Sequence, residues 1–177
     1  MEEILIQNSI ERDEKAFGSL INIYRKRLFI YILRMCGNNE IAEDIFQETL
    51  IRVWKNLPKY KENQKFSSWL FSIAHNLTID YHRKSKNIFE DINNRNDLTD
   101  SDTFIDKLEI EEQKILLQNA LDNLTKQQKE VFLLRQAGEL KFNEIAELTK
   151  QPLNTVLSHM NYGMKKLKKI LREESAA

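Results

Sequence analysis

A run of short hydrogen-bonding side chains followed by lysines stands near the C-terminal end of the chain: Thr155, Ser158, His159, Tyr162, Lys166 and Lys169. On a helix these residues share one side, opposite an apolar stripe of Val156, Leu157, Met160, Met164, Leu167 and Leu171 at spacings of three and four. Hydroxyl, imidazole and phenol groups at the start of a helix can read base edges, and lysines further along can hold phosphates. The chemistry on offer is recognition of nucleic acid, although the same pattern suits the solvated face of a helical hairpin. A second constellation lies in "AEDIFQETLIRVWKNL", Ala42–Leu57. One side of that helix carries Ile45, Phe46, Leu50, Val53, Trp54 and Leu57, and the other Asp44, Gln47, Glu48, Ile51 and Lys55. Ile51 is thus an apolar residue framed by polar ones. That is the pattern of a small docking surface, and also of a single exposed isoleucine of no consequence.

Covalent chemistry is not indicated. His75, His82 and His159 are far apart, Cys36 is the single cysteine, and no His/Glu pair has helical metal-ligand spacing. There is no glycine-rich phosphate loop. The expectation is a binding protein with no cofactor, no metal and no small-molecule substrate, and not an enzyme.

The elements that must position these groups are helices. Four glycines and two prolines punctuate 177 residues, and apolar residues recur at helical spacing with no convincing alternating strand. Phe142, Ile145, Ala146 and Leu148 mark a short helix, Lys150 to Pro152 a break, and the stripe from Val156 a longer helix whose first turn suits Pro152. The sum is a candidate helix-turn-helix over about 142–162. A third segment, "FSSWLFSIAHNLTIDYHRKSK" (Phe66–Lys86), has a core side of Trp69, Leu70, Ile73, Leu77 and Tyr81. Ser72, His75, Asn76, Ile79 and Arg83 lie across from or beside it, and the segment closes on basic residues.

The formal net charge is zero, yet the signs are segregated. Residues 1–86 hold 14 basic and 11 acidic side chains, 87–110 hold 2 and 7, and 111–177 hold 11 and 9. The middle stretch is rich in Asn, Asp, Ser and Thr and too weakly apolar to bury much surface. The fold expected is all-α: two small helical domains, 1–86 and 111–177, joined by an acidic linker, 87–110. The N-terminal "MEEILIQNSIERDEK" has neither a basic leader nor an apolar run, and no stretch reaches about 18 apolar residues, so cytoplasmic localisation without membrane insertion is expected.

In this order the segments resemble the extracytoplasmic-function sigma factors of bacterial RNA polymerase. "AEDIFQETLIRVWKNLPKY" resembles the polymerase-binding helix of the family's second conserved region, and "FSSWLFSIAHNLTIDYHRK" the segment after it, which handles the minus-ten promoter element. "LDNLTKQQKEVFLLRQAGELKFNEIAELTKQPLNTVLSHMNYGMKKLKKIL" resembles the fourth region, whose helix-turn-helix reads the minus-35 element. The resemblance implies core RNA polymerase, promoter DNA and an anti-sigma factor as partners. It implies that Asp44, Gln47, Glu48, Ile51 and Arg52 meet the polymerase. Tyr60 to Phe66, including Lys65, would form the loop that receives a flipped base, Asn76 would hold strand bases, and Arg83 and Lys84 would hold phosphates. Thr155, Ser158, His159, Tyr162 and Lys166 would face the upstream element. The chain departs from the family where Lys150 replaces a usual glycine in the helix-turn-helix break, and where Leu157 and His159 stand at positions commonly basic. A free-standing helix-turn-helix regulator and a purely protein-binding adaptor are the competing readings. A regulator has no need of the Asp44/Gln47/Glu48 face, and an adaptor none of the lysine-rich one.

Overall fold

The computed structural model describes residues 1–61, 65–86 and 115–175, and every regular element among them is helical. Helices α1 (Glu2–Ile10), α2 (Glu14–Cys36), α3 (Asn39–Asn56), a 3-10 turn (Leu57–Lys59) and α4 (Phe66–Lys86) make one compact unit. Helices α5 (helical over 115–122), α6 (Lys126–Gln136), α7 (Phe142–Thr149) and α8 (Leu153–Ser175) make the second. The all-α, two-unit expectation holds, and the acidic stretch 87–110 lies outside the described residues.

Helix α2 is the hub of the first unit and packs against α1, α3 and α4. Its start is set by Asp13, whose side chain accepts from the Lys15 and Ala16 N–H groups at 2.9 and 3.1 Å; such a cap contributes about 1 kcal/mol. Its end is set by Gly37 at φ 70°, where the N–H returns to the Leu33 carbonyl at 2.8 Å and a side chain would strain the backbone. Leu20, Leu28, Tyr31 and Ile32 of α2, Ala42 and Val53 of α3, and Leu70, Phe71 and Ala74 of α4 are fully buried. Each large apolar side chain contributes about 1.5–3 kcal/mol by leaving water. His75, placed across from or beside the core by its helical spacing, is only 4% exposed and shares a 3.1 Å hydrogen bond with the buried Tyr31 hydroxyl. A buried imidazole with a hydroxyl partner is a satisfied core residue. His82 donates from Nε2 to the Met35 carbonyl at 3.0 Å, tying α4 to the end of α2.

In the second unit α6 opens with a reciprocal cap. The Gln128 N–H donates to Thr125 Oγ1 at 3.2 Å, and the Thr125 N–H donates to Gln128 Oε1 at 3.1 Å. Leu121, Val131, Leu134, Leu140, Ile145, Val156 and Leu167 form the core. The Arg135 guanidinium donates to the Leu140 carbonyl at 2.9 Å and lies 5.2 Å from the Phe142 ring centroid, which holds the α6–α7 connection. Burial pushes the Glu130 carboxyl above the ordinary carboxylate range, and Lys126 one turn earlier partly opposes this. Below that range the folded and unfolded chains both carry the group neutral. As pH rises, the unfolded chain ionises first, so the group progressively removes stability until the folded chain also ionises. Glu130→Gln is therefore expected to raise the denaturant midpoint of this unit at pH 7 and to leave it unchanged near pH ~4. Equal midpoints at pH 7 would contradict this.

The break between α7 and α8 is a Schellman turn. The Gln151 N–H donates to the Ala146 carbonyl at 3.0 Å, the Lys150 N–H donates to the Glu147 carbonyl at 3.3 Å, and Lys150 sits in the left-handed region at φ 54°. A side chain there costs about 1–2 kcal/mol relative to the right-handed region. Lys150→Gly is expected to stabilise the unit by about 1 kcal/mol, read as a higher urea midpoint. A lower midpoint would show that the lysine side chain offsets its own strain.

Candidate functional site

Three exposed surfaces carry the candidate residues, two in the first unit and one in the second. Asn38 starts α3 by accepting from the Ile41 N–H at 3.0 Å, and Ala42, Ile45, Phe46, Thr49 and Val53 turn inward. That burial forces Asp44, Gln47, Ile51 and Arg52 outward, all exposed, with Glu48 half-buried between them. Ile51 is 47% exposed, as its helical position requires. Glu48 accepts from Arg52 Nε at 2.7 Å, so these two form an ion pair one turn apart on the same helix. Exposed pairs of this kind contribute between nothing and about 1 kcal/mol. The face is an apolar centre bordered by a carboxylate, an amide and an ion pair.

The second surface begins where α3 ends. Pro58 in the 3-10 turn redirects the chain, and Tyr60 leaves it in an extended conformation. Tyr60, Phe66 and Trp69 pack as a triangle with ring centroids 5.1–5.7 Å apart, and Tyr24 of α2 adds a fourth ring 5.6 Å from Phe66. Phe66 is only 2% exposed, so this candidate residue supports the cluster from inside and presents no open face. Tyr60 and Trp69 are half-buried and Lys65 is exposed. Trp69 is not the core residue that its place in the apolar set suggested. It lies seven residues before Asn76 and fourteen before Arg83, so the three share one side of α4 along about 21 Å at 1.5 Å per residue. The i, i+7 spacing was the available signal. Asn76 and Lys84 are exposed, and Arg83 pairs with Asp80 at 3.0 Å. An aromatic platform, an amide and two cations along one ridge suit a single strand: rings stack bases, the amide bonds a base edge, and the cations hold the backbone.

On the third surface the structure redraws the outer face of α8. Val156, Gly163 and Leu167 are its buried line. At about 100° per residue the opposite line runs through Asn154, Ser158, Asn161, Lys165 and Arg172, with Leu157, Tyr162, Lys168 and Lys169 beside it, and all nine are exposed. Thr155 and His159 lie on the flank and are half-buried. Leu157, assigned to the apolar stripe, is 40% exposed, because α6 and α7 cover only the side marked by Val156. Tyr162 is 61% exposed, and Lys166 donates to the Asn123 carbonyl at the α5–α6 turn. The Pro152 carbonyl accepts from the Thr155 and Val156 N–H groups at 3.0 and 3.1 Å, so the proline directly precedes the helix. Asn154, Asn161, Lys165, Lys168 and Arg172 are the members that sequence spacing could have supplied had the buried line been centred on Gly163.

Among the described residues no group of three or more His, Cys, Asp or Glu side chains could hold a metal ion, and no helix is long and apolar enough to cross a membrane.

Residues 20–88 match the family model of Sigma-70 region 2, and residues 114–167 that of Sigma-70, region 4. The ECF RNA polymerase sigma factor SigW of Bacillus subtilis is 31% identical over 185 aligned positions, which cover 97% of this chain and 99% of the relative. The ECF sigma factor SigX of the same organism is 28% identical, covering 91% and 88%. Among solved structures, the sigma factor RpoE in complex with the anti-sigma factor NepR, from Bartonella quintana, shares the fold at a TM-score of 0.71 and 19% identity, over 89% of this chain and 98% of that one. CnrH in complex with the cytosolic domain of CnrY does so at 0.70 and 19%, over 97% of each chain. With both conserved regions present in order, and a relative of this identity aligned over nearly its whole length, the chain belongs to the ECF family of RNA polymerase sigma factors.

Proposed function

We propose that this chain is an alternative sigma factor that binds core RNA polymerase, directs it to a class of promoters and helps to open them. The observation that carries the reading is the pairing of two helical units, one with a docking face beside an aromatic ridge, the other with a helix-turn-helix. In this reading Asp44, Gln47, Glu48, Ile51 and Arg52 dock on the polymerase. Bases extruded from the non-template strand meet Tyr60 and Trp69, with Asn76 bonding a base edge and Lys65, Arg83 and Lys84 along the backbone. Each captured base offsets part of the few kcal/mol needed to unstack and unpair it. Phe66 holds Tyr60 and Trp69 in place. Helix α8 enters the major groove by its N-terminal end with Asn154, Thr155, Leu157, Ser158 and His159, while Tyr162, Lys165 and Lys166 approach flanking phosphates.

The chain itself is not an enzyme in this reading, since nucleotide addition belongs to the polymerase. It works in the cytoplasm. An anti-sigma factor is a fitting partner, because the sigma factor RpoE, which shares this fold, was solved in complex with the anti-sigma factor NepR. The test is run-off transcription with purified core polymerase and promoter DNA. Initiation that requires this chain, and falls with Gln47→Ala, is the expected result. Failure to bind core polymerase would leave a free-standing DNA-binding protein.

A further inference from the structure

The turn between α1 and α2 holds an arginine where the backbone would suit glycine. Arg12 has φ 72°, nearly the angle of Gly37 at the end of α2, where the chain does use glycine. A strained arginine persists where its side chain makes contacts that offset the strain. Arg12 makes two, both to one residue. Its Nη1 donates to the Trp54 carbonyl at 2.7 Å, and its guanidinium lies 5.0 Å from the centroid of the Trp54 ring. Phe17 packs on the same indole at 4.9 Å. Trp54 sits in the last turn of α3, where carbonyls lack helical partners, and six residues later the chain reaches Tyr60.

Helix α1 meets the same region by a second route. It packs against α2 and the 3-10 turn, and Glu2 accepts a hydrogen bond from the Tyr24 hydroxyl. Tyr24 in turn packs on Phe66, the buried ring beneath Tyr60 and Trp69. Two sets of contacts therefore start near the N-terminus: Arg12, in the turn after α1, reaches Trp54 at the end of α3, and Glu2 of α1 reaches Phe66 of the aromatic cluster through Tyr24. Both starting residues lie before residue 20, where the match to Sigma-70 region 2 begins.

We propose that α1 and its turn form a brace that sets the Tyr60/Trp69 platform for base capture, with Arg12 as the positioning residue. The inference rests on the base-capture reading of Tyr60. Arg12 touches no DNA in this arrangement. It fixes the end of α3, and so the point from which the chain turns toward Tyr60. Cation and ring contacts near the protein surface are modest individually, so the consequence expected is a slower capture step rather than an unfolded unit.

The test compares the full chain with Arg12→Gly and Tyr60→Ala, each bound to core polymerase. The probe is a duplex promoter on which the parent chain initiates, carrying 2-aminopurine in the non-template strand of its minus-ten element. Glycine relieves the backbone at φ 72° while removing both contacts to Trp54, which separates positioning from fold stability. The result expected for Arg12→Gly is about tenfold slower fluorescence gain, a thermal midpoint near that of the parent, and polymerase affinity within about twofold. Arg12→Lys, which keeps a cation but loses the planar fork, should recover part of the rate. Loss in Tyr60→Ala with no change in Arg12→Gly would overturn the brace and leave the base-capture reading standing. No change in either variant would overturn that reading and the brace with it. Slowing by Arg12→Gly only in proportion to a lowered folded fraction would make Arg12 a structural residue and also overturn the inference.

Discussion

Ile51→Glu is expected to weaken binding to core RNA polymerase by about thirtyfold, or roughly 2 kcal/mol, the size of an interface hot spot. The position is 47% exposed in the middle of the outer face of α3, with Asp44 and Gln47 exposed and the Glu48–Arg52 ion pair alongside. An apolar side chain at the centre of such a face gains by leaving water when a partner covers it. A carboxylate there loses that gain, must be desolvated on docking, and adds a third negative charge beside Asp44 and Glu48. The fold should not notice, because Ile51 contributes little to the core. Fluorescence-detected competition against the parent chain would measure the affinity, and a thermal melt would establish that the variant is folded. An affinity within twofold of the parent would remove Ile51 from the docking face and return it to the category of a single exposed isoleucine.

The largest stability effect is expected at Phe71. Its ring is fully buried and packs edge-on against Tyr31 at 5.5 Å, and Tyr31 in turn holds His75 through its hydroxyl. Phe71→Ala removes the ring's transfer free energy and leaves a cavity between α2 and α4, at a cost of about 3–5 kcal/mol. A small domain has about 5–15 kcal/mol in total. The loss is compounded if the Tyr31 hydroxyl and the His75 ring lose alignment while still buried, since an unpaired buried polar group costs about 1–3 kcal/mol more. Hydrogen exchange read by mass spectrometry should show protection lost across α1–α4 and retained in α6–α8. Equal loss in both units would mean that they unfold as one body, and no loss in α1–α4 would mean that the core repacks around the gap.

Much of this site was legible in the residues themselves. Ile51 stands out because helical spacing leaves it no apolar neighbour on its side of α3. The α7–α8 break was visible at Lys150 to Pro152, and the structure supplies its mechanism in the left-handed Lys150. Other assignments depended on what lies across from a helix. His75 follows a fully buried alanine and its own burial comes from Tyr31, forty-four residues away. Trp69 carries an apolar side chain but sits at the edge of the α4 interface, where Tyr60 and Phe66 cover only part of it. Leu157 is apolar and follows the buried Val156, yet α6 and α7 pack on the other side.

The residue series by itself therefore determined the all-helical character, the α7–α8 break, the two-unit organisation and the family, because those depend on local spacing and on short motifs. Tertiary structure decided the residues at the borders of each apolar stripe, and with them the composition of the exposed ridge of α4 and of the outer face of α8. The reason is geometric. A helix shows its neighbours an arc of some 100° or more, and a residue at the edge of that arc is buried or exposed according to where the next helix lies, which no spacing within its own helix records. The brace from Arg12 to Trp54 belongs to the same class, since it joins residues forty-two positions apart.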